Sequence, residues 1–254
     1  MGIIRTLTSR LLAQTPLQYY PVTVQKGLAK GARWTLFPYS AYWRGNTELD
    51  VEEAIRLHGS IRGATCWDLG THFGIYTVGM AMAVGSQGQV IGFEPNPLSF
   101  KRCQYHVNLN SLSWVKLFNA AVSASEGSST LIISNNNDNV APSAHFAYED
   151  EQVDAKTPSL KVNTLVLDNL VEEGQIRPAD FIKVDVEGHG AKALLGAKKT
   201  IVSNRPTIVM SFHSQWELDG TREILEPIGY RSFATNGKQL NWEDSLYCTT
   251  VLRC

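Results

Sequence analysis

The chain is short of charge, of cysteine and of long apolar runs. Of its 254 residues only 23 are Lys or Arg and 24 Asp or Glu, so 19% are charged, against about a quarter in an ordinary soluble domain. With 43% hydrophobic residues and 20 glycines, that shortage excludes a disordered chain, a collagen and a charged coiled coil. At 28.1 kDa a folded monomer buries about 73% of its open-chain surface, enough for one large core or two modest ones. Cys66, Cys103, Cys248 and Cys254 form no CxxC pair and no zinc spacing. They read as reduced thiols of a cytoplasmic protein, with no metal site. The N-terminal MGIIRTLTSRLLAQTP has too short an apolar core for export, and no stretch approaches a transmembrane run. Gly2 and Thr6 match the loose myristoylation pattern weakly. Neither GxGxxG nor a GKS or GKT triplet occurs, which argues against a dinucleotide fingerprint and a nucleotide triphosphatase.

Acid is missing from the beginning. No Asp or Glu precedes Glu48, while Arg5, Arg10, Lys26, Lys30, Arg33 and Arg44 do, giving the first 47 residues +6. The remainder holds 17 basic and 24 acidic residues, a balance of -7. Six charges are ordinary decoration for 47 residues, and also suit a weak contact with a membrane or another acidic surface. Residues 1–47 form a basic, aromatic lead-in, with Trp34, Phe37, Tyr39, Tyr42 and Trp43 covering a core edge or a ligand. Residues 48–254 are expected to form one domain.

Within that domain the pattern alternates strand and helix. Residues 3–13, 48–58, 73–84, 98–110, 190–203 and 219–226 read as helices. Residues 65–69, 89–95, 115–122, 130–134, 160–166, 181–186 and 207–213 read as strands, with two more near 230–235 and 245–252 joined by a turn at Asn236-Gly237. The Asn-rich, acidic segment 134–159 reads as a long loop insertion. Strands separated by helix-length segments specify an α/β fold, a mostly parallel sheet between two helical layers.

Polar residues gather where these strands end. Asp68-Leu69-Gly70-Thr71-His72-Phe73-Gly74-Ile75-Tyr76-Thr77 runs from a strand into a helix, and its two glycines let a ligand approach the backbone. Glu94 ends the next strand, where a carboxylate can accept both hydroxyls of a ribose. Asn119 ends the third strand, in position to border an adenine edge. Lys183, Asp185 and Glu187 alternate along the fourth, followed by Gly188 and His189, and His213 ends the fifth. Charges in a central parallel strand need a partner or a polar crevice, so Asp185 is expected at a cofactor with Glu187 and His189 toward an acceptor.

Taken together, DLGTHFGIYT (68–77), GFEPNP (92–97), NLN (108–110), FNAAVSASEG (118–127), VNTLVLDNL (162–170) and FIKVDVEGHG (181–190) resemble the FkbM-type S-adenosylmethionine-dependent methyltransferases, with WRGNTE (43–48) as a similar entry motif. The resemblance implies a three-layer, Rossmann-like class I methyltransferase sheet whose last strand is antiparallel. It implies S-adenosylmethionine bound by Asp68, Gly70, His72, Gly74, Thr77, Glu94, Asn119 and Asp185. It also implies a small-molecule acceptor, such as a sugar or polyketide hydroxyl. His72 stands where the family commonly has Asn, Gly190 where it has Glu, and Ser211 where Glu is frequent. A hydroxyl acceptor needs a base of near-neutral pKa, and His213 and His189, with Asp185, are the catalytic candidates. A cofactor-binding module without turnover is one alternative. A nucleic-acid methyltransferase is another, disfavoured because no continuous basic face is evident. Homo-oligomerisation is left open.

Overall fold

A computed structural model describes residues 15–36, 42–45, 49–58, 61–133, 144–146 and 157–254. The expected helix over 3–13, the myristoylation match, Phe37, Tyr39, the end of the WRGNTE motif and most of the 134–159 loop lie outside these residues. In chain order the elements are β1 (Pro21–Thr23), β2 (Arg33–Thr35), α1 (Leu49–His58), β3 (Thr65–Leu69), α2 (Ile75–Val84), β4 (Gln89–Phe93) and α3 (Pro97–Leu109). Then come β5 (Val115–Phe118), β6 (Ala121–Val122), β7 (Gly127–Ile133), β8 (Ala144–Phe146), β9 (Ser159–Leu165), α4 (Leu167–Glu172) and β10 (Phe181–Val184). The chain continues through α5 (Gly190–Leu195), α6 (Lys198–Asn204), β11 (Thr207–Ser211), α7 (Gln215–Leu225), β12 (Arg231–Ala234) and β13 (Thr249–Arg253).

Seven strands form the main sheet in the order β12-β13-β11-β10-β3-β4-β5. β13 runs antiparallel between β11 and β12, and the pairings from β11 across to β5 are parallel. This is the Rossmann-like class I methyltransferase arrangement, antiparallel last strand included. β3 and β10 lie at the centre with every residue buried, which is why they show no polar–apolar alternation, Asp68 and Lys183 excepted as a buried pair. One face of the sheet is covered by Val24, Trp34, Ile55, Val78 and Met80, the other by Leu167, Leu194, Ile201, Leu218 and Leu225. Fully burying each large apolar side chain contributes about 1.5–3 kcal/mol.

Strand order reverses between β3 and β10, and the crevice at the carboxyl ends of such a pair is where open α/β sheets bind ligands. Helix starts are cut by local chemistry. Asn96 caps α3 by accepting from the Leu98 amide, with Pro97 at the first helical position. Ser214 caps α7 by accepting from the Glu217 amide, so that helix begins at Gln215 and not at 219.

Other expectations change in detail. The strand over 115–122 is two, because Asn119 and Ala120 carry the chain from β5 in the main sheet to β6 in a second sheet ordered β6-β9-β7-β8. Residues 144–146, within the expected loop, pair with β7 as β8. The helix over 190–203 breaks at Gly196, whose missing side chain admits the Ser123 carbonyl; a Cβ there would lie 2.1 Å from that oxygen. The Asn236-Gly237 turn folds the chain back onto β12 through a Phe233–Gln239 bridge instead of leading into β13. Among the described residues no helix is long and apolar enough to cross a membrane.

Candidate active site

The loop after β3 is held against the end of β4. Gly70 and Thr71 both donate to the Phe93 carbonyl, at 3.0 and 3.1 Å. One residue on, the His72 amide donates to Glu94 Oε2 at 2.7 Å, and the Asn96 amide to Glu94 Oε1 at 2.9 Å. The Glu94 carboxylate is thus fixed in orientation, and each oxygen keeps a lone pair for another donor. Burial pushes its pKa up from 4.5 to about 7, with the two amides and Lys183 opposing and Asp68 adding to the rise. Asn119 donates to the Glu94 and Pro95 carbonyls at 2.8 and 3.2 Å. Its amide nitrogen therefore braces the turn beyond β4.

Gly70 has φ +86, and a Cβ on it would lie 1.9 Å from the Asp185 carbonyl oxygen. The loops after β3 and β10 therefore touch backbone to backbone, and the Asp185 amide donates to the Leu69 carbonyl at 3.0 Å. A Cβ on Gly74 would meet Cys103 Sγ at 2.6 Å, so α3 presses on the start of α2. His72 itself has φ +49, a left-handed conformation that costs a non-glycine residue roughly 1–3 kcal/mol. Its ring stacks on Phe73 with centroids 4.0 Å apart. Nδ1 lies 3.1 Å from the Tyr42 hydroxyl. Burial, helped by the Lys183 charge, lowers its pKa to about 4, so the ring is neutral. The role expected of His72 thus rests on its main chain, while its side chain receives the lead-in.

Beneath the loop, Asp68 is fully buried. Thr77 donates to its Oδ2 at 2.6 Å, and Lys183 Nζ stands 3.4 Å from Oδ1. Burial raises the Asp68 pKa, and the Lys183 ammonium and Thr77 hydroxyl pull it back. Lys183 also donates to the Gly70 carbonyl at 2.9 Å and approaches Asp185 Oδ2 at 3.6 Å. Asp68 and Thr77 therefore support the loop from below, and Lys183 joins it to Asp185.

The two candidate histidines separate. His189 is buried with Nε2 3.1 Å from Ser123 Oγ, beside the second sheet. Burial first, then the Lys192 charge, lowers its pKa to about 4. His213 is partly open, with Nε2 3.4 Å from Asp185 Oδ1 and 3.9 Å from Glu187 Oε2. Its pKa is raised, chiefly by Glu217 and further by Asp185 and Glu187, against the pull of burial. Geometry thus groups His213, Asp185 and Glu187 at the ends of β10 and β11, next to the loop after β3, and directs the His189 ring elsewhere.

Three contributors escaped the sequence reading. Glu217 bonds the His213 amide; its signal was the Ser214-x-x-Glu217 spacing of a helix start. Tyr42 was noticed only as part of an aromatic stretch. His106 is buried between Trp34, stacked at 3.5 Å, and two hydrogen-bonding partners, the Thr35 hydroxyl and the Phe73 carbonyl, both at 2.8 Å; nothing in its local pattern marks it. Among the described residues no group of three or more His, Cys, Asp or Glu side chains is arranged to hold a metal ion.

The family model for the methyltransferase FkbM domain matches residues 68–232. The hexuronic acid methyltransferase AglP of Haloferax volcanii is 27% identical over 180 residues, 70% of this chain and 69% of that protein. Methyltransferase FkbM from Methylobacillus flagellatus superposes with a TM-score of 0.50 at 18% identity over 78% of this chain. The chain spans 45% of the length of that protein. An O-methyltransferase from Bacillus cereus, solved with SAH, covers 84% of this chain and is itself covered over 83%, with a TM-score of 0.46 and 15% identity.

Proposed function

Because the chain belongs to the FkbM family of methyltransferases, its model matching residues 68–232, we propose that it transfers a methyl group from S-adenosylmethionine to a hydroxyl oxygen of a saccharide or another small molecule. The observation that carries this reading is the pairing of two fixtures along one sheet edge. Glu94 is an oriented carboxylate held by two amides, and His213, with its raised pKa, faces Asp185.

The residues present fit the donor. A ribose offers two adjacent hydroxyl donors, and the pinned Glu94 carboxylate has acceptor capacity left on both oxygens. Next to it, the tight Gly70 turn packs directly on the Asp185 carbonyl, which keeps the loops after β3 and β10 together at the sheet's carboxyl end. When bound, S-adenosylmethionine supplies a sulfonium-activated methyl group, and a neutral thioether remains after transfer. Glu94 would hold the ribose, Asn119 Oδ1 would border the adenine, and Asp185 would lie toward the methionine end. His213 Nε2 would take the acceptor's hydroxyl proton as the new C–O bond forms. Positioning by these fixed loops supplies much of the rate, and general base catalysis about 10²–10⁴-fold.

The sugar acceptor is supported by the hexuronic acid methyltransferase relative. Four free cysteines, two of them exposed, suit a reducing compartment, and we assign the protein to the cytoplasm. The test is calorimetry with the donor and with its demethylated product, followed by labelled methyl transfer to saccharide extracts. Absence of heat with folded protein would sink the reading. His213→Ala should lower kcat at least about 100-fold while leaving the dissociation constant of the demethylated product unchanged. An unaltered kcat would remove His213 as the base.

A further inference from the structure

Glu217 lies outside every motif singled out above, yet it is a carboxylate with no exposed surface next to the proposed base. A buried carboxylate is costly unless each oxygen is paired. Here Oε1 accepts from the Gly190 amide at 2.8 Å, and Oε2 accepts from the His213 amide at 2.9 Å. The same Oε2 stands 3.6 Å from His213 Nδ1. That nitrogen is sealed from solvent and makes no hydrogen bond of ordinary length. Were Nδ1 unprotonated, its lone pair would face a carboxylate lone pair across a gap of 3.6 Å, too narrow to admit a water. The proton therefore belongs on Nδ1. Nε2 is then left as the lone-pair nitrogen. It lies 3.4 Å from Asp185 Oδ1, but both of those side chains are partly exposed, so solvent can satisfy that pair as it cannot the sealed one at Nδ1.

Gly190 makes this possible. A Cβ at that position would lie 2.6 Å from Glu217 Oε1 and 2.4 Å from Met210 Cε. The missing side chain at 190 thus leaves the space that a carboxylate from α7 fills.

We propose that Glu217 is the positioning residue of the base: it fixes the His213 ring through the main chain and Nδ1, and so presents Nε2 to the acceptor hydroxyl. This deepens the methyltransferase reading and rests on it. The charged groups around the ring are Asp185 and Glu187 from the segment after β10 and Glu217 from α7, with Lys183 behind Asp185. From β13 the neighbour opposite Ser211 is the uncharged Thr249. With Glu217 the leading cause of the raised His213 pKa, removing its charge lowers that pKa. The activity limb set by His213 deprotonation then moves to lower pH.

The deciding experiment is histidine ¹⁵N NMR through a pH titration of the wild-type chain, Glu217→Gln and Glu217→Asp, with kcat/KM against pH on the same samples. In wild type the neutral ring should carry its proton on Nδ1. Glu217→Gln should lower the His213 titration and the acidic limb together by about one pH unit, and Glu217→Asp should shift both by less. A structural role alone would scale the rate and leave both midpoints in place. A neutral ring protonated on Nε2, or an unmoved titration in either folded variant, overturns the proposal. If neither variant folds, the wild-type tautomer decides. If the wild type transfers no methyl group, the methyltransferase reading fails while the NMR outcomes still judge Glu217.

Discussion

With the ribose held by Glu94 as proposed, cofactor affinity should follow pH, because that carboxylate is buried between two amides. Its pKa stands at about 7, raised by burial despite two amide donors. Ribose hydroxyls donate more strongly to the ionised carboxylate, both of whose oxygens accept, so binding favours the charged form and lowers the pKa further. Affinity for the demethylated product should therefore be full above about pH 7 and fall about tenfold per unit below it. Between about pH 8 and about pH 6 the dissociation constant should weaken about tenfold, and binding near pH 6 should release close to one proton. Glu94→Gln removes the titrating group. Its affinity should be flat over that range and about 10–100-fold weaker at about pH 8, for the loss of charge-assisted bonds worth about 1.5–3 kcal/mol. Folding is linked as well. The folded chain holds a proton that the unfolded chain sheds near pH 4.5, so the Glu94 contribution to stability falls by about 3 kcal/mol as pH rises from about 4.5 to about 7. Calorimetry in buffers of different ionisation enthalpy measures the affinity and the proton count together. A pH-independent dissociation constant with no proton release in the wild type would refute the reasoning.

Two further outcomes test the frame around the site. Gly70→Ala places a Cβ 1.9 Å from the Asp185 carbonyl at φ +86, whereas Gly229→Ala, at φ +94, meets nothing within 4 Å. In urea unfolding the second should cost about 1–2 kcal/mol, the left-handed penalty alone, and the first clearly more; equal costs would show that the loops do not press together. Lys183→Met leaves Asp68 buried beside no cation and should cost about 3–5 kcal/mol near neutral pH. That loss should shrink as pH falls and Asp68 protonates; a loss under about 1 kcal/mol, or one that grows in acid, contradicts the pairing.

Much of this frame is legible in the sequence because it is written locally. The central strands are short and largely apolar, the Asn96-Pro97 pair marks the start of α3, and Asp68, Gly70, Glu94 and Asp185 all sit at strand ends. What stays hidden depends on distance along the chain. His106 reaches Phe73 and Thr35 across 33 and 71 positions, and Glu217 meets Gly190 across 27. No periodicity records such meetings. His189 and His213 look alike as sequence, each a histidine just past a strand, and only the packing separates a ring turned onto Ser123 from one open beside Asp185. Likewise, residues 115–122 have one strand's pattern, yet Asn119 spends its amide on the turn after β4 and the chain changes sheets there.

The backbone contact between Gly70 and Asp185 restricts how relatives of this chain can diverge. With the two loops in register to within an atom's width, neither tolerates an inserted residue unless the other yields, which couples the proposed donor half to the proposed proton-handling half. New acceptor preferences then have to arise elsewhere along the rim. The turn ahead of β13 qualifies: Tyr247 stands there 75% exposed, beside Cys248, whose carbonyl takes the Phe212 amide. On the proposed function, variation at such a place would alter the acceptor while leaving the Gly70–Asp185 contact as it is.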